Sequence, residues 1–287
     1  MLPVALAAEL INKNRATEYA FTFERYLLVF YSRDKVMKVA LEVFRAYSRY
    51  YELLYRDKDY PAEVEYVCKL LTRNGLKNGD LLEFGSGTGK HGCLLGARGY
   101  TVHGIELSAD MVALAENAPG FTCQQGDIAY TTMGRKYDAV LSLFHVISYQ
   151  TRNAQLSAVF ANAADHLNPG GLFIFDFWYS PAVYAEKPVV RLKRIEDEQI
   201  EITRIAEPVI FPNKNCVDVN YTIFARDLVT GKLQIIRETH SMRHFSLPEI
   251  DLLASANSFE RLIAEEFVTG DAPGCKTWSV CVILRRI

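Results

Sequence analysis

The amino-acid sequence predicts a doubly wound α/β fold built on a mostly parallel sheet. Strand-like and helix-like segments alternate from about residue 60 to about residue 180, which is the pattern of repeated βαβ units. The strand-like segments are short, apolar and rich in β-branched or aromatic residues, as in parallel strands that are buried on both faces. From about residue 187 to residue 246 the apolar period changes to two, which predicts an antiparallel meander inserted late in the sheet.

The first 50 residues predict a helical cover. Apolar and aromatic residues recur there at spacings of three and four, with charged residues between them, which indicates one or two amphipathic helices. We expect most of this apolar stripe to serve packing, with a lid over a ligand site as the alternative.

Five strands and three helices are predicted in the alternating region. Ser108 is a candidate N-cap for the second of these helices, and Pro169-Gly170-Gly171 is a stop signal after the third. The predicted strands are "DLLEFG", "YTVHGIEL", "FTCQQGD", "YDAVLSLF" and "GLFIFDFW", and the predicted helices are "KHGCLLGARG", "SADMVALAENA" and "NAQLSAVFANAADHLNPGG".

The remaining segments complete the sheet. Thr230-Gly231 marks a turn between two alternating runs of the meander. The segment "PEIDLLASAN" predicts a helix, and "RLIAEEFV" and "TWSVCVILRR" predict two closing strands, so the core sheet is expected to have seven strands. We therefore divide the chain into a helical segment over residues 1–50, a ligand-binding core over 51–186, the meander over 187–246 and a closing helix with strands over 247–287.

The composition favours a globular protein whose partners are small molecules. The chain has 287 residues, of which 49% are hydrophobic, and this is ample for a buried core. A net charge of −2 with scattered lysines and arginines gives no basic surface for nucleic acid or an anionic membrane. The apolar start lacks a basic region, so neither a signal peptide nor a membrane span is expected. Six cysteines without a CxxC pair indicate reduced thiols in a cytoplasmic protein.

Three closely spaced glycines follow the first predicted strand in "LLEFGSGTGKHG". Gly85, Gly87 and Gly89 lie between a strand and a helix, where a ligand meets the turn and the helix N-terminus. A dinucleotide fingerprint requires a further glycine where this chain has Lys90. Glu83 also precedes the turn, and a carboxylate there repels a diphosphate but attracts a cation. S-adenosylmethionine carries a sulfonium and an ammonium group and no phosphate, so the charges favour this methyl donor.

Two more acidic residues follow the next two predicted strands. Glu106 ends the second strand, where a carboxylate can accept hydrogen bonds from both ribose hydroxyls. Asp127 comes after the third strand, where a carboxylate can accept from the adenine amino group. Each acid alone is compatible with a solvated strand end, whereas all three acids together with the glycine turn indicate a nucleoside site. The apolar neighbours assigned to this site are Leu107, Met111, Ile128 and Leu143.

These residues resemble the class I S-adenosylmethionine-dependent methyltransferases over about residues 45 to 180. The four segments that carry the resemblance are "LLEFGSGTGKHG", "GIELSADM", "QQGDIA" and "YDAVLSLFHVISYQ". The resemblance implies a Rossmann-like, seven-stranded sheet whose fourth strand ends beside the transferred methyl group. The segment "YYELLYRDKDYPAEVEYV" and the late insert are similar to the nucleotide-linked amino-sugar N-methyltransferases, which implies that the meander covers the acceptor side and pairs two subunits.

The same resemblance indicates where catalytic groups belong. His145 and Tyr149 follow the fourth strand, and Tyr51 lies near the N-terminal cover; these three are our candidates for proton transfer and acceptor orientation. In the amino-sugar enzymes a histidine stands near the position of Tyr149, so the displacement to His145 leaves the identity of the base open. For His145 and Tyr51, a packing role is the alternative.

Aromatic residues and two further histidines are assigned to the rest of the site. Tyr60 is expected near the sulfonium, where an aromatic face attracts a cation. Trp178 and Tyr179 follow the fifth strand as acceptor-pocket candidates, with a packing role as the alternative for Trp178. His240 and His244 share a strand face with Met242, but no carboxylate or cysteine at ligand spacing completes a metal site. We therefore assign both histidines to the acceptor side, with ordinary strand surface as the alternative, and expect no metal.

Three functions remain open from the sequence. The first is methylation of an amine or hydroxyl of a small polar acceptor, most of all a nucleotide-linked sugar. The second is an oxidoreductase on the same fold, which Lys90 and Glu83 disfavour. The third is a methyl-donor-binding protein without turnover, because a cofactor site alone does not establish catalysis.

Overall fold

The structure is a computed structural model that describes residues 48–115 and 118–287. Nearly all of the predicted helical cover, residues 1–47, lies outside the described residues. No helix in the described ranges is long and apolar enough to cross a membrane. All six cysteines lie in the described ranges and are free thiols.

The described residues contain seven helices and eleven strands. The helices are α1 (Ser48–Leu54), α2 (Tyr60–Arg73), α3 (Lys90–Gly96), α4 (Ala109–Leu114), α5 (Asn153–Asp165), α6 (Ser180–Glu186) and α7 (Leu247–Ala256), with short 3-10 turns at Val146–Tyr149 and Pro212–Lys214. The strands are β1 (Gly79–Phe84), β2 (Tyr100–Glu106), β3 (Phe121–Gln125), β4 (Tyr137–Ser142), β5 (Leu167–Tyr179), β6 (Arg191–Glu196), β7 (Ile200–Phe211), β8 (Cys216–Asp227), β9 (Leu233–Phe245), β10 (Phe259–Glu266) and β11 (Ser279–Arg286).

The core sheet is doubly wound. Strand β1 pairs in parallel with β2 and β4, β2 with β3, and β4 with β5. Strand β11 is antiparallel to both β5 and β10. The prediction of a mostly parallel sheet with some antiparallel strands is therefore confirmed. The strand order reverses between β1 and β4, and the carboxyl ends of these two strands open a crevice in which such sheets bind ligands.

Apolar clusters cover both faces of this sheet. Successive residues of a strand point to opposite faces, and Leu81 and Leu82 accordingly belong to different clusters. On one face, Phe160 of α5 packs edge-on against Phe173 and Phe175, with ring centroids 5.5 Å apart in each pair. Helix α2 supplies buried residues to the other cluster. Both faces of the central strands are thereby removed from water, as their apolar sequences predict.

Strands β6 to β9 form an antiparallel meander that joins the core sheet at the end of β5. Each strand pairs with the next along the chain. Strand β9 also pairs in parallel with the last two residues of β5, Trp178 with His244 and Tyr179 with Phe245. The last strand of the meander, β9, therefore lies beside the carboxyl end of β5 on the ligand-binding edge of the core, while its first strand, β6, lies at the far edge of the meander.

Two local predictions differ from the structure, and one is confirmed. Strand β3 is at the sheet edge and is half exposed rather than buried. Pro169-Gly170-Gly171 lies inside β5 rather than before it, because the register of β5 against β4 shifts there and Gly170 adopts a φ of +86°. Ser108 does cap α4, since its side chain accepts a hydrogen bond from the backbone N–H of Met111.

Candidate active site

The turn after β1 requires glycine at three positions. Gly85, Gly87 and Gly89 have φ values of +71°, +56° and +82°, a region that L side chains rarely adopt. A Cβ atom at Gly85 would lie 2.6 Å from Val146, so the turn also packs against the segment after β4. A Cβ atom at Gly87 would meet no atom of the described residues within 4 Å. The middle of the turn thus leaves space for a ligand beside exposed backbone.

Glu106 at the end of β2 is held by the backbone of two turns. Its Oε2 accepts from the N–H of Gly87 at 3.0 Å, and its Oε1 accepts from the N–H of Ser108 at 2.8 Å. Burial raises the pKa of Glu106, and the backbone donors partly offset this effect. Each carboxylate oxygen can accept a second hydrogen bond. The group is therefore fixed in place with acceptor capacity for a pair of ribose hydroxyls.

Glu83 is a buried carboxyl group without an adequate partner. Its exposed fraction is 1%, and its Oε2 has no hydrogen-bond partner within residues 48–115 and 118–287. Its Oε1 lies 3.8 Å from His91 Nδ1. Burial and then the nearby Glu106 raise the pKa of Glu83 to about 8. A buried acid of this kind is complementary to a cation, and this observation fits S-adenosylmethionine at the glycine turn.

The other donor-site candidates lie around the ends of β2, β3 and β4. Asp127 is half-buried and its Oδ1 accepts from the N–H of Ala129 at 2.9 Å, while no partner for Oδ2 lies among the described residues. Met111, Ile128 and Leu143 are buried, and Leu107 is half-buried. Tyr60 belongs to the α2 side of the glycine turn, where its ring packs edge-on against His91 with centroids 5.1 Å apart.

His145 lies in a strained turn directly after β4. Phe144 and His145 have φ values of +64° and +62°, which are uncommon for residues other than glycine. Nδ1 of His145 lies 2.6 Å from Oδ2 of Asp176, and the backbone N–H of His145 donates to both carboxylate oxygens at 3.2 and 3.3 Å. Ser279 donates to the same carboxylate at 3.2 Å. The turn is thus fixed by a carboxylate from the neighbouring strand.

Asp176 is fully buried in the middle of the sheet, yet its electrostatics favour the ionised form. Burial opposes ionisation, but the charge of the His145 ring and the hydrogen bonds from His145 outweigh burial and hold the pKa of Asp176 below its ordinary value. Nδ1 of His145 is within ion-pair distance of this carboxylate but makes no aligned hydrogen bond with the described residues, and a carboxylate at this distance stabilises positive charge on the ring. His145 is 22% exposed. This is the arrangement of a histidine that can take a proton.

Tyr149 and His240 contact each other across the junction of core and meander. Oη of Tyr149 lies 2.9 Å from Nδ1 of His240. Oε2 of Glu238 lies 3.4 Å from Nε2 of the same ring. Tyr149, Trp178 and Tyr221 belong to one apolar cluster, and the rings of Trp178 and His145 have centroids 6.4 Å apart. The structure therefore places four predicted residues, His145, Tyr149, Trp178 and His240, around one region.

Tyr51 lies on α1 in a group of tyrosines next to that region. The centroid of its ring is 4.8 Å from that of Tyr55, and Tyr55 packs edge-on against Phe144 at 5.2 Å. Burial, followed by the charges of Tyr60 and Tyr55, raises the pKa of Tyr51 well above its ordinary value. Burial likewise raises the pKa of Tyr60 to about 12. Both hydroxyls therefore remain protonated and can donate hydrogen bonds.

A cavity of about 260 Å³ lies beside this group, lined by Glu52, Tyr55, Arg56, Tyr60 and Lys90. Glu52 accepts from Thr88 Oγ1 at 2.6 Å and lies 3.1 Å from Lys90 Nζ. The cavity thus opens directly beside the glycine turn.

His244 and Tyr179 have different surroundings. Nδ1 of His244 lies 2.8 Å from Oγ of Ser180, and its ring packs edge-on against Tyr184. Burial and then Arg243 lower the pKa of His244 to about 4. Tyr179 packs against the main core cluster. Within the described ranges, the side chain of His244 contacts α6 and that of Tyr179 contacts the core, whereas the backbone of His244 pairs with Trp178. The same ranges contain no group of three or more His, Cys, Asp or Glu residues placed to hold a metal ion.

Two acids with buried side chains, Asp176 and Glu238, are absent from the residues that the sequence predicts for the site. Asp176 stands inside the apolar run "FIFDFW", and a charged residue in a buried strand is a signal of a partner or a function. Glu238 lies two residues before His240 and therefore on the same face of β9. Both signals are local, but neither identifies the partner.

Comparison with known proteins agrees with the geometry of the donor site. A family model described as a methyltransferase domain matches residues 81–171. The dTDP-3-amino-3,4,6-trideoxy-alpha-D-glucopyranose N,N-dimethyltransferase of Streptomyces venezuelae is 31% identical over 176 residues, which cover 60% of this chain and 74% of that protein. The dTDP-3-amino-3,6-dideoxy-alpha-D-glucopyranose N,N-dimethyltransferase of Streptomyces fradiae is 29% identical over 180 residues, which cover 62% and 70%.

Solved structures show the same fold. The crystal structure of Streptomyces venezuelae DesVI covers 84% of this chain and 98% of its own, with a TM-score of 0.70 and 24% identity. None of these similarities favours the oxidoreductase alternative. The chain belongs to the S-adenosylmethionine-dependent methyltransferases.

Proposed function

We propose that the chain methylates the amino group of a nucleotide-linked sugar. The observation that carries this proposal is the His145–Asp176 pair, with Nδ1 and Oδ2 2.6 Å apart, at the carboxyl end of β4 beside the glycine turn. Two relatives that act on dTDP-linked amino sugars support the choice of acceptor by their similarity to this chain.

The donor site is assigned to the predicted residues at the ends of β1, β2 and β3. S-adenosylmethionine supplies a methyl group on a positively charged sulfur. Glu83 stabilises positive charge from its buried position, Glu106 accepts from the ribose and Asp127 accepts from the adenine amino group. The glycine turn allows the donor to approach the backbone, with Leu107, Met111, Ile128 and Leu143 as its apolar walls.

His145 is assigned as the proton acceptor. The nitrogen of a neutral amine forms a bond to the methyl carbon with its lone pair while the carbon–sulfur bond breaks, and the resulting ammonium loses one proton. Nε2 of His145 takes that proton, and the Asp176 carboxylate stabilises the imidazolium that forms. Most of the rate enhancement comes from alignment of the amine and exclusion of water.

The acceptor site is assigned to the region between the core and the meander. Tyr51, Tyr149 and Trp178 orient and desolvate the sugar, and His240 contributes from β9. His244 and Tyr179 stabilise this acceptor region through their contacts with α6 and the core. In this division, residues 51–186 bind the donor, 187–246 cover the acceptor and 247–287 close the core sheet. We further propose that two chains pair through the meander and that the protein works in the cytoplasm.

A methyl-transfer screen tests the proposal. Purified protein and S-adenosylmethionine are incubated with dTDP-linked 3-amino and 4-amino sugars, each with a matched sugar that has hydroxyl in place of amine, and products are detected by mass. We expect a gain of methyl groups on the amines alone. Transfer to the hydroxyl sugars at equal rates would refute amine specificity, and donor binding without any product would favour a binding protein without turnover.

A further inference from the structure

Glu238 on β9 has no part in the amine methylation described so far, although its environment is unusual. Its side chain is 4% exposed, and Oε2 lies 3.4 Å from Nε2 of His240. The other oxygen, Oε1, is buried without a hydrogen-bond partner among the described residues. A buried carboxylate with incomplete hydrogen bonding destabilises the fold. A function that requires this acid would account for its presence.

Glu238, His240 and Tyr149 form a hydrogen-bonded row. A neutral imidazole has one N–H donor and one acceptor nitrogen. The carboxylate of Glu238 accepts hydrogen bonds, so its contact with Nε2 places the ring proton there and makes Nδ1 the acceptor. Oη of Tyr149 lies 2.9 Å from that Nδ1, and the hydroxyl of Tyr149 therefore donates to His240.

The direction of this row determines what Tyr149 offers to a substrate. Burial, followed by the nearby Tyr221 and Tyr55, raises the pKa of Tyr149 well above its ordinary value, so the side chain is a neutral phenol. Its proton is directed at His240, and its oxygen is then an acceptor of hydrogen bonds. Trp178 packs in the same cluster and adjoins His145, so this acceptor lies in the region assigned to the amine.

We propose that Glu238 is a positioning residue that acts through His240 to fix Tyr149 as the hydrogen-bond acceptor for an N–H of the substrate amine. This inference rests on the proposed function. A primary amine has two N–H bonds and a secondary amine has one, so each can donate to Tyr149 while its lone pair faces the methyl group. A tertiary amine has none. The row therefore supports two successive methyl transfers and ends them at the dimethylamine.

The Glu238→Gln variant tests the proposal. Glutamine keeps the shape of the side chain, but its amide can donate to Nε2 of His240 and so reverse the direction of both hydrogen bonds. The probe is a dTDP-linked 3-amino-3,6-dideoxy sugar with saturating S-adenosylmethionine, and the mono- and dimethylated products are separated by mass. We expect the acceptor KM to rise about tenfold, as for one lost hydrogen bond, and the monomethylated product to accumulate. Donor affinity should be unchanged. The matched control is Glu207→Gln, at an exposed position on β7.

A second comparison separates positioning from simple support of the fold. In the Tyr149→Phe background the hydroxyl is absent, so Glu238→Gln should raise KM no further. The nitrogen chemical shifts of His240 should also report a proton on Nε2 in the wild type and a shifted tautomer in Glu238→Gln. An equal rise in KM in both backgrounds, or an unchanged KM and product ratio in Glu238→Gln, would overturn the proposal. Absence of amine methylation by the wild type would overturn the proposed function together with it.

Discussion

At the residue scale, Glu83 is the buried titratable group of the proposed donor site. Burial and Glu106 raise its pKa to about 8, so the unliganded protein carries the protonated acid near neutral pH. A bound cation favours the ionised form, and the proton must then leave.

We predict that donor binding at pH 7 releases a proton from Glu83 and that affinity rises as pH increases toward about 8, where the free acid ionises. Calorimetry in buffers of different ionisation enthalpy measures this release. The Glu83→Gln variant should release less and bind more weakly at pH 9. Equal proton release by the variant and the wild type would contradict the assignment.

We also predict that Asp176→Asn lowers the rate of methyl transfer by roughly 10²–10⁴, because the His145 imidazolium loses its carboxylate. His145→Ala should have an effect of similar size. Single-turnover transfer with saturating donor measures both, with Asp165→Asn on the exposed end of α5 as the control. Near-normal rates in both variants would show that solvent accepts the proton.

At the element scale, α1 connects the donor turn to the meander. Glu52 accepts from Thr88 in the glycine turn, while Tyr50 donates to Gln234 at 3.1 Å and Lys193 donates to the carbonyl of Leu54 at 2.5 Å. This short helix therefore contacts both the glycine turn and the meander.

Glu52→Ala should destabilise both α1 and the glycine turn, because Glu52 joins them. We expect amide exchange in residues 48–54 and 85–89 to accelerate by about tenfold, as for loss of one hydrogen bond to a charged group. Hydrogen exchange detected by mass spectrometry measures the change, and Glu65→Ala on the exposed face of α2 is the control. Unchanged exchange in the glycine turn would show that α1 does not stabilise it.

The elements also show which features a sequence can predict. The glycine turn and the Ser108 cap depend on neighbouring residues, and the sequence predicts both at their observed places, whereas the start of β5 depends on its register against β4. The contact between His145 and Asp176 joins two strands, and the contact between Tyr149 and His240 depends on how the meander docks on β5. Local periodicity carries no information about that docking, so Asp176 and Glu238 are absent from the predicted site residues.

At the scale of the whole molecule, the outer face of the meander presents apolar side chains to solvent. The strand register places Leu192 and Ile235 on one face, and they are 56% and 47% exposed. Such a patch favours association with another protein surface, which suits the proposed pairing of two chains.

We predict that the wild type sediments as a dimer and that Leu192→Asp combined with Ile235→Arg yields a monomer, because the paired surface then carries charge. Analytical ultracentrifugation measures the mass of both. The control is Val229→Asp, at an 81% exposed position in the turn between β8 and β9. A monomeric wild type, or a dimeric double variant, would exclude pairing through this face.

The junction between β5 and β9 has an evolutionary consequence. The meander pairs with β5 through two residues of each strand. Exchange of this insert between relatives would alter the surface that we assign to the acceptor, while strands β1 to β4 keep their order and their acids. Acceptor preference can therefore change by recombination at the β5–β9 junction, while the residues proposed for methyl transfer stay the same.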